Sequence, residues 1–238
     1  MRSTIYASAA IFIFLAHAWP DWIGFIVNIS IFVIFWLWYT RATSLTVRTL
    51  TRFKDPGTGL LLIVLGWLLT SLIHSPSVAF REGNPLVSIV RLGSSYDMVI
   101  LAPFLEEIWR AVALSAWVIF PREAIFLSSG LHALSHSKLL FIEDSFIIMN
   151  MFILSSLIAT TLMLRNGFWA AFLFHVLGNS YRPALNIQSM LSDALVYLVY
   201  CITSVYLILL FARMAYRAYK DCVQEIDHLI PGLLRRHM

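Results

Sequence analysis

The chain has 238 residues, 60% of them apolar and only 13% charged, with a mean hydropathy of +0.80 and a net charge of +4. Soluble domains carry about 25% charged residues, so this chain lacks the charge to clothe a water-facing surface and is read as a polytopic membrane protein. It has no aromatic-interleaved basic patch and no nucleic-acid motif, which excludes nucleic acid as an expected partner.

Apolar runs long enough to cross ~30 Å of hydrocarbon lie at about residues 4–19, 22–40, 58–76, 143–164 and 190–212. The start, "MRSTIYASAAIFIFLAHA", also has the basic residue, apolar stretch and Ala-x-Ala ending at Ala18 of a cleavable signal peptide. A second span follows at once, so we read it as a retained first helix. Residues 97–138 are less uniform: a helix through "DMVILAPFLEEIWRAVALSAWVIF", a break at Pro121, then a shorter helix over 124–138. After 143–164, the tight "RNG" link at 165–167 leads into another short helix over 167–181. Short, polar-interrupted helices are tolerated at membrane depth where they face protein or a wet cavity. The expectation is an all-α bundle of about eight transmembrane helices, with membrane lipids as its surroundings.

Basic residues orient it. With eight crossings and a cytoplasmic N-terminus, the cytoplasmic segments hold twelve Lys and Arg residues. These are Arg2, Arg41, Arg48, Arg52, Lys54, Arg122, Arg165, Arg213, Arg217, Lys220, Arg235 and Arg236. The other side holds four, Arg81, Arg91, Lys138 and Arg182. That bias places both termini in the cytoplasm, and a bacterial cytoplasmic membrane is the expected location. After residue 212, Val223, Ile226, Leu229, Ile230 and Leu233 recur at helical spacing, which suggests a basic amphipathic tail lying on the membrane surface. Cys201 lies within a span and Cys222 in the tail, so no disulfide between them is expected.

Three patches place polar side chains inside apolar runs: Glu106, Glu107 and Arg110 in "APFLEEIWRAVALSAWVIF", His132 and His136 in "GLHALSHS", and His175 and Asn179 in "LFHVLGNS". A charge at the bilayer centre costs at least ~2.5–3.5 kcal/mol. Within each patch a spacing of four stacks the side chains on one helical face, so the stripes should converge in the bundle interior. A carboxylate walled off from bulk water is a competent general base. Imidazoles can move protons, hold water or ligate metal, and an amide NH₂ can stabilise an oxyanion. Together these groups suit water-mediated amide hydrolysis. A serine route is weaker, since Ser128, Ser129 and Ser135 lie near the histidines but no Gly-x-Ser-x-Gly elbow occurs. Taken singly, each patch also admits a structural reading: a buried ion pair for the carboxylates, a satisfied core histidine for His132, an interhelical hydrogen bond for His175 and Asn179.

"APFLEE" with a following Arg, a histidine on the next helix, and "LRNGFWAAFLFHVLGN" resemble the three motifs of the CPBP (Abi) intramembrane proteases, over roughly residues 98–183. That family includes the CAAX prenyl endopeptidases and proteins linked to bacteriocin processing or self-immunity. The resemblance divides the chain into N-terminal transmembrane helices (1–97), a CAAX-protease-like catalytic core (98–183), and a last helix with its tail (184–238). It implies Glu106 as the water-activating base, with Glu107 and Arg110 orienting it. It also implies His136 as the second-motif histidine, His175 and Asn179 as active-site residues, and a membrane-associated protein or peptide as substrate.

Two departures stand out. "EEIWR" has two residues between the glutamate pair and the arginine where the family has three, so Arg110 can reach either carboxylate. An arginine held tightly to the catalytic carboxylate would make it a poorer base. Further, His132 stands where the family has Phe, four residues before the second-motif histidine. Metal is left open at this point: Glu106, His132, His136 and His175 could make a zinc-type site with an open position, and metal-free, glutamate-activated water serves equally. The rival to a protease is a catalytically altered relative acting as a membrane immunity or scaffold protein. A small transporter with a proton relay is a more distant alternative, since the chain shows no inverted repeat.

Overall fold

The computed structural model describes residues 54–79, 87–91, 95–116, 122, 125, 128–130, 132, 145–185 and 193–229. In chain order these form helix α1 (Pro56–Ala79), strand β1 (Val87–Arg91), a π-helical turn (Asp97–Leu101) running into α2 (Ala102–Ala116), α3 (Ser145–Asn166), α4 (Phe168–Ser180), strand β2 (Tyr181–Leu185) and α5 (Asp193–Leu229). The two N-terminal spans, the cleavage-like Ala18, Ser135, His136 and the last residues of the tail, Ile230 and Leu233 among them, lie outside the described residues.

Helix α3 is the centre. Leu154, Ile158, Thr160, Leu162 and Met163 are all at most 1% exposed, and α1, α4 and α5 pack around it. The sequence of α1 shows how such packing is built. Gly59, Ile63, Gly66 and Thr70 form its buried stripe at helical spacing, whereas Leu60, Leu61, Val64, Leu65 and Leu68 are exposed. That inside-out distribution, small residues inward and large apolar residues outward, suits lipid-facing helices in close contact. Thr70 and Ser71 satisfy their hydroxyls within the helix, on Gly66 O at 3.0 Å and Trp67 O at 2.6 Å.

Helix starts and stops have local causes. Asp55 precedes α1 with φ 39, Pro56 takes the first helical position, and the Asp55 carboxylate accepts from the Thr58 hydroxyl and, at 3.4 Å, from Thr58 N. The Thr58 hydroxyl, then its N–H, hold this exposed carboxyl below the usual aspartate range. Its capping contribution is therefore present above that range and disappears as acid pH falls through the lowered value. Between α3 and α4 the turn rests on Gly167, at φ 93, whose N–H is shared by Leu162 O (3.1 Å) and Met163 O (3.0 Å). Only glycine takes that conformation without strain. The π turn precedes Pro103, which has no N–H to continue a regular ladder back into residues 97–101.

Two features add to the helical bundle. The chain is helical throughout most of its described length, but β1 and β2 form an antiparallel ribbon with Val87 opposite Leu185, Ile89 opposite Pro183 and Arg91 opposite Tyr181. Pairing satisfies backbone groups that the short α4 leaves unclaimed where the chain turns back, and Trp67 Nε1 donates to Tyr181 O at 2.6 Å to tie the ribbon to α1. The first part of the C-terminal tail also continues the preceding helix. Residues 193–229 form one helix of 37 residues, about 55 Å at 1.5 Å per residue. Its buried stripe, Tyr200, Ser204, Leu207, Phe211, Ala215, Ala218, Tyr219 and Cys222, runs on well past Arg213, so interior packing continues the helix where hydropathy ends. Among the described residues, one helix is long and apolar enough to cross a membrane, through Tyr197–Glu225.

A polar clasp closes one end of the bundle. Lys54 Nζ meets Glu225 Oε2 at 2.5 Å, Lys54 N donates to Asn166 O at 2.9 Å, and Asn166 Nδ2 donates to Asp55 O at 3.1 Å. Nearby in the fold, Tyr219 Oη donates to Leu114 O at 3.0 Å. These contacts join the start of α1, the ends of α2 and α3, and the extension of α5.

Close approach predicts a steric outcome. A Cβ on Gly66 would sit 2.6 Å from Ile158 Cγ2 and 3.2 Å from Phe174 Cε2. Gly66→Ala should therefore destabilise the bundle by ~1–3 kcal/mol, read as a lower thermal midpoint in detergent. Gly57→Ala, whose Cβ would meet nothing closer than Asp55 Oδ1 at 4.0 Å, should leave the midpoint in place.

Candidate functional site

Glu106 and Glu107 are neighbours on α2 with different fates. Glu107 is completely buried and Glu106 retains slight exposure, 0% against 16% for their side chains. Glu107 shares the inward stripe with Arg110, Ala111 and Leu114, and its carboxylate accepts two parallel bonds from Arg110: Nε to Oε2 at 2.8 Å and Nη2 to Oε1 at 3.2 Å. The remaining amino group, Nη1, donates to Ser128 O (3.1 Å), Ser156 O (3.1 Å), Ser156 Oγ (2.5 Å) and Thr160 Oγ1 (3.2 Å). Ser129 Oγ lies 3.1 Å from Thr160 Oγ1 in the same network. The guanidinium thus joins α2, the 128–130 segment and α3 through one fully partnered charge, the condition under which a buried ion pair is tolerated. The shortened glutamate–arginine spacing is resolved: Arg110 takes Glu107 and leaves Glu106 alone.

Glu107 has a second task. Its Oε1 lies 2.9 Å from His175 Nδ1 on α4. A carboxylate accepts only, so His175 must donate from Nδ1, and in the neutral ring Nε2 then carries the lone pair. That nitrogen faces Glu106 Oε2 at 3.5 Å, and His132 Nδ1 lies 3.1 Å from the same oxygen. The two imidazoles stand edge to face, centroids 5.6 Å apart. Glu106 Oε2 is buried, yet it makes no aligned hydrogen bond with either ring despite these distances. An acceptor oxygen enclosed by two ring nitrogens and lacking an aligned donor fits a site for a water or a cation. Glu106, His132 and His175 each offer one ligand atom, all within 4.8 Å of one another, so the donor set also fits a divalent metal.

The sequence-derived residues therefore divide. Glu106, Glu107, Arg110, His132 and His175 come together. Asn179, one turn beyond His175, donates Nδ2 to Met98 O at 3.0 Å and ties α4 to the π turn, with one amide N–H remaining. His136, named by the second motif, lies outside the described residues. Sequence reading missed Ser156 and Thr160. On α3 they look like ordinary small interior residues, and nothing in their spacing marks them as Arg110 acceptors.

Residues 88–181 match a family model described as type II CAAX prenyl endopeptidase Rce1-like. The match takes in all three motifs quoted above and covers nearly the segment on which their resemblance rests. No curated protein and no solved structure matches the chain.

Arg110→Lys tests the guanidinium. It keeps the charge but loses the fork that serves Glu107 and the Ser156–Thr160 groups together. The thermal midpoint in detergent should fall clearly below wild type; an unchanged midpoint would mean that charge alone suffices.

Proposed function

We propose, from residues 88–181 carrying the core of the CPBP/CAAX-protease family, that the protein is an intramembrane endopeptidase that hydrolyses a peptide bond of a membrane-associated protein or peptide. The observation that carries this reading is the division of the two carboxylates. Glu107 is committed to Arg110 and His175, and Glu106 presents a buried oxygen without an aligned donor to two imidazoles. The broader frame of the proposal is eight spans with both termini in the cytoplasm, residues 98–183 as the catalytic core, and a bacterial cytoplasmic membrane as the setting.

A water hydrogen-bonded to Glu106 Oε2 gives up a proton to that carboxylate as its oxygen attacks the scissile carbonyl carbon. His175, its tautomer set by Glu107, offers the Nε2 lone pair to the second hydrogen of the water and so aligns the attack. The carbonyl oxygen becomes an oxyanion, for which the free N–H of Asn179 is the donor nearest along α4 to His175. When the C–N bond breaks, the proton on Glu106 passes to the departing amine, leaving a new carboxyl group and restoring the base. His136 takes a positioning or protonating role by its place in the second motif. A zinc-type ion on Glu106, His132 and His175 would supply Lewis-acid polarisation of the same water, while each step above belongs to the chain's own side chains.

Position along the helix agrees with chemistry inside the bilayer. His175 lies eight residues beyond Gly167, about 12 Å along α4, so the reaction centre is sunk below the end of the bundle that carries the polar clasp.

In reconstituted membranes with a candidate substrate, Glu106→Ala and His175→Ala should each lower the cleavage rate, the former by about 10²–10⁴-fold. Undiminished cleavage by both variants would rule the mechanism out and favour the immunity or scaffold reading.

A further inference from the structure

We infer that the outer edge of β1 is a docking strand for the substrate: an extended stretch of the peptide adds to the β1–β2 ribbon as a third strand and is led from there to Glu106 and His175. The inference rests on the proposed peptidase reading and adds to it how the substrate backbone is held.

The parity of the ribbon comes first. In an antiparallel pair, alternate residues exchange both backbone hydrogen bonds, and the residues between them turn their N–H and C=O outward. Pro183 has no N–H to give, and the Tyr181 N–H is taken by Leu177 O at the end of α4. The ladder bonds therefore run through Ser88 with Ala184 and Val90 with Arg182. Val87 and Ile89 on one strand, and Pro183 on the other, turn their backbone groups away from the ribbon.

The two outer edges differ. That of β2 is blunted: proline removes the donor at its middle, α1 packs against the strand, and Trp67 Nε1 claims Tyr181 O. That of β1 presents both the N–H and the C=O of Ile89, and among the described residues no strand pairs with it. Ile89 is also 69% exposed, so its surroundings leave room for an arriving chain. Native sheets usually cover or break such an edge, because it pairs with any segment that arrives extended. Here the protection falls on β2.

Position and chemistry choose the occupant. Arg91, at the end of β1, pairs with Tyr181, which lies two residues beyond Asn179 and six beyond His175, about 9 Å along α4. An extended chain rising ~3.3 Å per residue covers that distance in about three residues. A peptide bond inside a helix has its C=O committed to the N–H four residues on, so it must be drawn out before water can attack it. Once extended, its flanking backbone groups need new partners, and the β1 edge offers them beside the reaction centre. Such docking reads backbone and accepts many side chains, but it rejects proline wherever the substrate must donate.

The test uses the full chain in detergent and a fluorescein-labelled peptide of about ten alternating Val and Thr residues, flanked by Lys, with binding read by fluorescence anisotropy. Three forms are compared: unmethylated, N-methylated at alternate residues so that one edge keeps its N–H groups, and N-methylated at every residue. The first two should bind with similar affinity. The third should bind about tenfold or more weakly, as the loss of several hydrogen bonds requires, although it is the most lipophilic. Ile89→Pro removes the outward N–H and spares the ladder bonds of Ser88 and Val90. Its thermal midpoint should hold while affinity for the unmethylated peptide falls about 2–10-fold. Equal binding of all three peptides, or no binding of the unmethylated one, would overturn the inference. So would an edge-to-edge dimer of the chain that Ile89→Pro dissolves. Cleavage of a candidate substrate is scored separately, and there Ile89→Pro should raise KM more than it lowers kcat. Edge-dependent binding by a chain that cleaves nothing keeps the docking strand and removes the protease. Cleavage with binding blind to methylation keeps the protease and removes the docking strand.

Discussion

The buried guanidinium of Arg110 is the constraint around which the rest is arranged. A cation in an apolar bundle must have its N–H groups matched, and Arg110 achieves this with the Glu107 carboxylate on one side and Ser128, Ser156 and Thr160 on the other. Those acceptors lie on three separate segments, so satisfying one side chain fixes α2 against α3 and against the helical 128–130 segment. Breaking such a pair from one side is costly because it strands a buried charge. The same contact decides what the adjacent carboxylates can do. By taking Glu107, Arg110 gives His175 a fixed tautomer and leaves Glu106 without a guanidinium to neutralise it.

From that point the local structure follows in a chain of dependencies. Gly167 turns the chain so that α4 packs back on α3 and brings His175 to Glu107. Pro103 and the π turn set the start of α2, and Asn179 holds that turn through Met98 O. The short α4 ends where a full span would continue, and the β1–β2 ribbon takes over the backbone hydrogen bonding at its end. The contact from Trp67 to Tyr181 ties this paired backbone to α1. At the other end, the Lys54–Glu225 pair and the Asn166 amide join the start of α1 to the ends of α3 and α5.

Much of this was legible in the sequence because it depends on local spacing. The runs read at 143–164 and 167–181 appear as α3 (Ser145–Asn166) and α4 (Phe168–Ser180), since the Arg-Asn-Gly link is a turn signal of its own. The meeting of the glutamate patch with His132 and His175 follows from polar stripes four residues apart on otherwise greasy helices. Other features depend on distant partners and left no such signature. Arg110 sits three residues after Glu107 and four after Glu106, both within reach; the choice is made by acceptors on α3, 46 and 50 positions away along the chain. Val87–Arg91 and Tyr181–Leu185 are too short, and Pro183 too unlike a strand residue, to announce a ribbon. The continuation of α5 is carried by Ala215, Ala218, Tyr219 and Cys222, residues whose packing counts for more than their hydropathy.

The central claim is that two adjacent glutamates do different work, one structural and one left free for chemistry. Thermal unfolding of Glu106→Gln and Glu107→Gln, measured side by side in the same detergent, tests it most directly. Glu107→Gln should lose the counter-charge of Arg110 and drop in midpoint by an amount corresponding to ~3–5 kcal/mol, whereas Glu106→Gln should match or exceed the wild-type midpoint. The reverse order, with Glu106 needed for stability and Glu107 dispensable, would contradict the account.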